Sequence, residues 1–252
     1  MLDERAVTGN DGVRFRADAG LLADKWAGRA ELRVQEAEAT GLALVQAGFN
    51  IVLLFSPEHG ISAKAPDGEA QQNSMDPITG IPVVSLYGSK RMPTPQNLEN
   101  IDIVLFDIPD IGARFYTYLW TLTYVLEACA LNKKECIVLD RPNPVSGNFD
   151  AAEGPFMDDI TSSFIGRWNI PIKHSSTLGE LALYFNSTKN IGANLTVVPV
   201  KNWDRDSFVT NWQTNFVPTS PAIHSPNSMY LYPGLCLLEA TNISEGRGSQ
   251  YS

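Results

Sequence analysis

A chain of 252 residues, 44% hydrophobic and 19% charged, is long enough to bury a sizeable core as one large domain. Its formal charge of −9, with no basic stripe, excludes a nucleic-acid partner, whose phosphates would have to be neutralised. No apolar run reaches the ~20 residues that span a bilayer, and three cysteines without CxxC spacing (Cys129, Cys136, Cys236) read as structural thiols.

In chain order, segment 21–46 has helical composition and stops at Ala47-Gly48-Phe49. Asn50-Ile51-Val52-Leu53-Leu54-Phe55 is an uninterrupted apolar run, the pattern of a strand buried on both faces of a parallel sheet. It breaks at Ser56-Pro57, which puts Glu58-His59-Gly60 where the strand's carboxyl end meets a loop. Residues 61–80 are polar and rich in Gly, Pro, Asp and Gln, a surface loop placed to act as a lid. A short strand with a turn is expected over Ile81–Gly88, and a second buried strand over Ile101–Asp107, followed by Ile108-Pro109-Asp110-Ile111-Gly112. The 3–4 spacing of apolar residues predicts a helix from Tyr116 to Asn132, then a buried strand at Cys136–Leu139 closed by Asp140-Arg141-Pro142-Asn143-Pro144. Thr177 with Glu180 three residues on has the capping-box arrangement of a helix start. Leu195–Val200 reads as another strand, and Tyr232-Pro233-Gly234 as a turn or boundary marker. The alternation predicts an α/β fold, Rossmann-like, with a mostly parallel sheet and helices on both faces.

Successive strands therefore end in acidic residues before a Pro- or Gly-marked loop. Ligands of open parallel sheets bind outside the carboxyl ends of the strands, so Glu58, Asp107, Asp110 and Asp140 are expected to converge on one rim. No GxSxG elbow, Walker loop or GxGxxG is present, which removes the usual signals of acyl transfer, P-loop hydrolysis and dinucleotide binding. The histidines are His59, His174 and His224; a metal site from His59 with the aspartates is conceivable in oxygen-rich chemistry, but the spacing is no known metal motif, and no cofactor is called for. Carboxylate acid–base work fits better: glycoside hydrolysis uses one carboxylic acid to protonate the leaving oxygen and a second carboxylate as base or nucleophile. Arg114 and Arg141 suit an acidic substrate group or the orientation of the acids. Tyr87, Tyr116, Tyr118 and Trp120 offer faces and hydroxyls for a sugar ring, with core packing the alternative for each. Glu245 and Arg247, in Glu245-Gly246-Arg247-Gly248, are a further acid and base between glycines, read equally well as a charged tail.

Six strings carry a family resemblance in the expected order: Ser56–Gly60, Ser85–Gly88, Phe106–Tyr118, Asp140–Pro144, Tyr232–Gly234 and Ser244–Gly248. Together they resemble the exo-β-N-acetylmuramidases of the NamZ type, formerly a bacterial domain of unknown function, DUF1343. The resemblance implies hydrolysis that releases N-acetylmuramic acid from the non-reducing end of peptidoglycan fragments, with a muropeptide or disaccharide as partner. It also implies a cleft between a Rossmann-like domain and a smaller carboxy-terminal domain. It favours Glu58 as catalytic residue, with Asp110 or Glu245 as the second carboxylate. The motif residues His59, Tyr87, Asp107, Arg114, Tyr116, Asp140, Arg141, Asn143 and Arg247 become substrate-binding candidates, the arginines facing the sugar's lactyl carboxylate. Residues 1–47 match the family poorly. Residues 48–252 are expected to form the Rossmann-like catalytic domain, ending before the family's carboxy-terminal domain. Family members are commonly exported, although the start Met1-Leu2-Asp3-Glu4-Arg5 has no signal-peptide pattern. A non-catalytic muropeptide-binding module and a metal-dependent hydrolase are the competing readings.

Overall fold

The buried apolar runs form strands whose carboxyl ends carry the acids. The structure, a computed structural model, describes residues 37–212 and 216–246. Helix α1 (Ala37–Gln46) precedes β1 (Leu54–Ser56), β2 (Ser74–Met75) and β3 (Pro82–Ser85). These three form one sheet in the order β1-β3-β2, with β1 parallel to β3 and β2 antiparallel to it. A single turn of helix, α2 (Pro95–Leu98), leads to β4 (Ile103–Phe106), α3 (Thr117–Leu131), β5 (Glu135–Leu139), α4 (Leu178–Thr188) and β6 (Asn194–Val198). Strands β4, β5 and β6 form a second sheet, parallel throughout and in sequence order. Helix α5 (Pro226–Leu235) and a 3₁₀ turn over Cys236–Ala240 follow. The architecture is mixed α/β, parallel sheets flanked by helices, as the alternation predicts, but the parallel strands divide between two three-stranded sheets.

Helix α3 holds the core together. From Thr117 to Leu126 all its side chains but Tyr124 are buried, the mark of a helix packed all round rather than on one face. Trp120, Leu122 and Leu126 pack with Val104 and Phe106 of β4, Cys136 and Val138 of β5, and Leu181 and Phe185 of α4. A second cluster, Ile111, Ala113, Tyr116, Tyr118, Val209, Ile223 and Met229, joins the segment after β4 to α5. Cys129 and Cys136 are buried and Cys236 half-buried, all as free thiols. Among the described residues no helix is long and apolar enough to cross a membrane.

Two local expectations change. The apolar run from Asn50 enters the ladder only at Leu54, opposite Val83, because the preceding residue of β3 is Pro82, which has no N–H for the ladder. Tyr232-Pro233-Gly234 lies inside α5, not in a turn. The capping box of Ser225 and Ser228, with Pro226 at the first helical position, starts that helix firmly enough to run through Pro233, which only forfeits one hydrogen bond near the helix end. The capping box at Thr177 and Glu180 forms as its spacing predicts: Thr177 accepts from the Glu180 N–H, and Glu180 accepts from the Thr177 N–H.

Candidate active site

Strands β1 and β3 run parallel with Ser56 opposite Ser85. Each chain leaves the sheet at the same height, so Glu58 and Tyr87, both two residues further on, come side by side at the carboxyl rim. The turn after β1 is tight, with His59 and Gly60 both in the left-handed region (φ 69° and 74°). His59 is then strapped to the following loop, its Nδ1 2.9 Å from the Ala65 carbonyl and its Nε2 3.7 Å from Asp67. That loop folds back over the acid.

Glu58 is 9% exposed, and donors from two separate elements meet on its carboxylate. Thr117, the first residue of α3, donates its hydroxyl to Oε2 at 2.8 Å, and the Gly68 N–H of the 61–80 loop donates to Oε1 at 3.1 Å. The Tyr87 hydroxyl faces the same carboxylate. Burial first, and the contact with Glu58 second, push the Tyr87 phenol up to about 12, so it stays a donor across the neutral range. The start of α3 also places the positive end of a helix dipole at this acid. Behind it, the Tyr118 hydroxyl lies 2.6 Å from the Thr219 carbonyl and 3.3 Å from that of Glu58.

The acids ending β4 and β5 are engaged with the protein itself. Asp107 accepts from Arg141 Nε at 2.7 Å, has an Arg141 terminal nitrogen at 2.6 Å, and accepts from Thr40 of α1 at 2.5 Å; both ion-pair partners are largely buried. Asp140 accepts from Thr177 Oγ1 at 2.6 Å, the Gly179 N–H at 2.7 Å and the Arg141 N–H at 3.0 Å, and so sits on the amino terminus of α4. Burial raises its carboxyl above the ordinary range while these donors pull it down.

Asp110, 7% exposed, accepts from the Gly112 N–H at 2.9 Å and lies 3.0 Å from His174 Nε2, all on Oδ2. The His174 Nδ1 accepts from the Ser176 N–H, which assigns the ring proton to Nε2 and makes His174 the donor to Asp110. Oδ1 of Asp110 is buried and has no hydrogen-bond partner among the described residues. The residue lines a small pocket of about 50 Å³ shared with Arg141, Pro142, Trp212, Thr219 and Met229. Thr219, which lines the same pocket as Asp110, gathers the tyrosines behind Glu58: its hydroxyl accepts from the buried Tyr116 hydroxyl at 2.7 Å and its carbonyl accepts from Tyr118, whose ring is 4.8 Å from that of Tyr116. Burial raises both phenols well above their ordinary value.

The remaining candidates are placed as follows. Arg114 is buried, with Nη1 donating to the carbonyls of Pro155 (2.9 Å) and Ile170 (2.5 Å), and burial lowers its guanidinium below the ordinary value. Asn143 bridges the Ser176 carbonyl and the Val145 N–H and packs under Gly112. Glu245 is half-buried beyond the 3₁₀ turn, and none of the hydrogen bonds described at Glu58 comes from it. Arg247 lies outside the described residues. Sequence reasoning assigned Thr117, Gly68 and Thr219 no role, and named His174 only as one of three histidines, not as the partner of Asp110; only the string position of Thr117, beside Tyr116 and Tyr118, marked it.

The model of the amino-terminal part of the exo-β-N-acetylmuramidase NamZ matches residues 28–227. The chain belongs to the NamZ family. It is 46% identical over 199 residues to the peptidoglycan β-N-acetylmuramidase NamZ of Bacillus subtilis, covering 79% of this chain and 48% of that protein. Two DUF1343 family proteins of Bacteroides fragilis share the fold. One is 39% identical with a TM-score of 0.72, covering 80% of this chain and 51% of its own; the other is 37% identical with a TM-score of 0.68, covering 82% and 54%. The chain thus spans about half the length of these NamZ relatives.

Proposed function

We propose that this chain carries the acid of a peptidoglycan-cleaving glycosidase that removes N-acetylmuramic acid from the non-reducing end of peptidoglycan fragments. The likeness to a peptidoglycan β-N-acetylmuramidase supports the substrate class. The observation that carries the chemistry is Glu58, a buried carboxyl oriented from two sides at the carboxyl rim of a parallel strand pair. In its protonated form the group gives its proton to the glycosidic oxygen as the C1–O bond breaks, leaving the carboxylate that the Thr117 and Gly68 donors stabilise. Water then adds at C1 and a proton returns to the carboxylate. Asp110, fixed by His174 and the Gly112 N–H in the pocket it shares with Thr219, is the second carboxylate; Glu245 is the alternative. Tyr87, whose hydroxyl faces Glu58, steadies the sugar beside it.

The test is hydrolysis of a β-muramide by the purified full chain and its Glu58→Gln and Asp110→Asn variants, with circular dichroism as a fold control. Loss of turnover of at least about 10²-fold is expected for a group that transfers a proton. Unchanged turnover in folded Glu58→Gln protein rejects Glu58 as the acid. Full activity in Asp110→Asn alongside an inactive Glu245→Gln variant transfers the second role to Glu245.

A further inference from the structure

The described arginines are Arg91, Arg114, Arg141, Arg167 and Arg205, and four of them are engaged by oxygen acceptors. Arg114 holds two main-chain carbonyls, Arg141 holds Asp107, Arg167 holds Glu127 and Arg205 holds Glu180. Arg91 differs. It is exposed, and its guanidinium carbon rests 4.3 Å above the ring of the buried Phe164. The Phe164 ring is 5.7 Å from that of Tyr87, whose hydroxyl faces Glu58, and Arg91 is close enough for its charge to act on that hydroxyl. A guanidinium stacked on an aromatic face uses its face alone. Its in-plane N–H donors stay free, in the fork geometry that matches a carboxylate.

We propose that Arg91 is the specificity residue of the site, receiving the carboxylate of an acidic substituent on the sugar held beside Glu58; this rests on the glycosidase reading above. A muramyl unit differs from a plain N-acetylhexosamine by one ether-linked carboxylate. The surroundings of that group include Glu58 and Asp67, so an anion arriving here is repelled unless a cation meets it. The arginines favoured from motif position, Arg114 and Arg141, are held inside the protein by their own acceptors. Phe164 fixes the height of Arg91 above the rim, Tyr87 ties that position to the acid, and the pair reads the substituent while Glu58 acts on the linkage.

The test is a ligand–protein cycle with a β-muramide, its methyl ester and the matching β-glucosaminide, on wild-type full chain and the Arg91→Gln variant. Esterification is expected to lower wild-type kcat/KM by about 10- to 100-fold, the range for losing a charge-assisted hydrogen bond, mostly through KM. Arg91→Gln is expected to lower the muramide-to-glucosaminide ratio by a similar factor, with no further loss on esterification. Additive losses, or an unchanged ratio, overturn the assignment, as does an equal shift in a Lys90→Gln charge control. If wild type cleaves none of the three, the glycosidase reading fails separately, and titration calorimetry with N-acetylmuramic acid and N-acetylglucosamine decides on Arg91 alone. Preference for the acid in wild type that is lost in Arg91→Gln sustains the proposal, and equal affinities refute it.

Discussion

Replacing Thr117 with valine removes one hydroxyl and almost nothing else. The side chain is buried, valine has the same shape, and the lost contact is the 2.8 Å hydrogen bond to Glu58 Oε2. A hydrogen bond to a charged group contributes about 1.5–3 kcal/mol, because the alternative is a buried oxygen with a partner missing. The change in helix propensity at the first position of α3 is a few tenths of a kcal/mol at most. Thr117→Val is therefore expected to lower the unfolding free energy by about 1.5–3 kcal/mol in urea titrations followed by tryptophan fluorescence. The same substitution in a Glu58→Leu background, where no carboxylate remains to be abandoned, should cost under about 0.5 kcal/mol. Turnover of a muramide should fall with the single substitution, since the acid loses one of its two hydrogen-bonded anchors. An equal stability loss in both backgrounds would show that the hydroxyl acts elsewhere and would refute the account of how Glu58 is held.

Arg141→Met leaves Asp107 buried without its counter-charge, and a loss of about 3–5 kcal/mol is expected by the same titration; adding Asp107→Asn should recover part of it, and no recovery would sink the ion-pair reading. Gly112→Ala forces a side chain onto a backbone at φ 79° and into Val145 and Asn143, so destabilisation of at least about 1–2 kcal/mol is expected; a neutral outcome by thermal unfolding contradicts it. On the alkaline side, Tyr87 is pushed from its ordinary 10.0 up to about 12, and Tyr116, Tyr118 and Tyr232 are raised in the same direction. The unfolded chain releases these protons first, so their contribution is complete below pH 10.0 and is lost as pH climbs through the folded values. Tyrosinate absorbance of the three more deeply buried rings should appear together with loss of circular dichroism; ionisation at the ordinary value in still-folded protein would contradict their burial.

The elements at the rim were legible because buried parallel strands and their breakers leave strong local signals. The apolar run into Ser56-Pro57 located Glu58, and the Thr177–Glu180 spacing located the start of α4. What each acid does was not legible, because its partners are far along the chain. Asp107 meets Arg141 from 34 residues away, Asp140 meets Gly179 from 39, and Asp110 meets His174 from 64. An acid at a strand end reads identically whether it faces a ligand or closes a helix terminus. Proline misled at α5, where capping by Ser225 and Ser228 outweighed a single Pro233 near the helix end.

Arg114 carries a consequence for comparing relatives. Its acceptors are the carbonyls of Pro155 and Ile170, groups every residue possesses, and its own N–H closes onto the Ile172 carbonyl. These hydrogen bonds therefore place no demand on the side chains at those three positions, and packing alone constrains Ile170 and Ile172, while the arginine itself is fixed. Paired substitutions across homologues will carry no trace of this staple, and a fixed arginine with no covarying neighbour is easily mistaken for a ligand contact. Chimeras that exchange the 112–118 segment between relatives should stay folded even when the 153–172 segment differs in sequence, provided its backbone path and its buried apolar positions are kept.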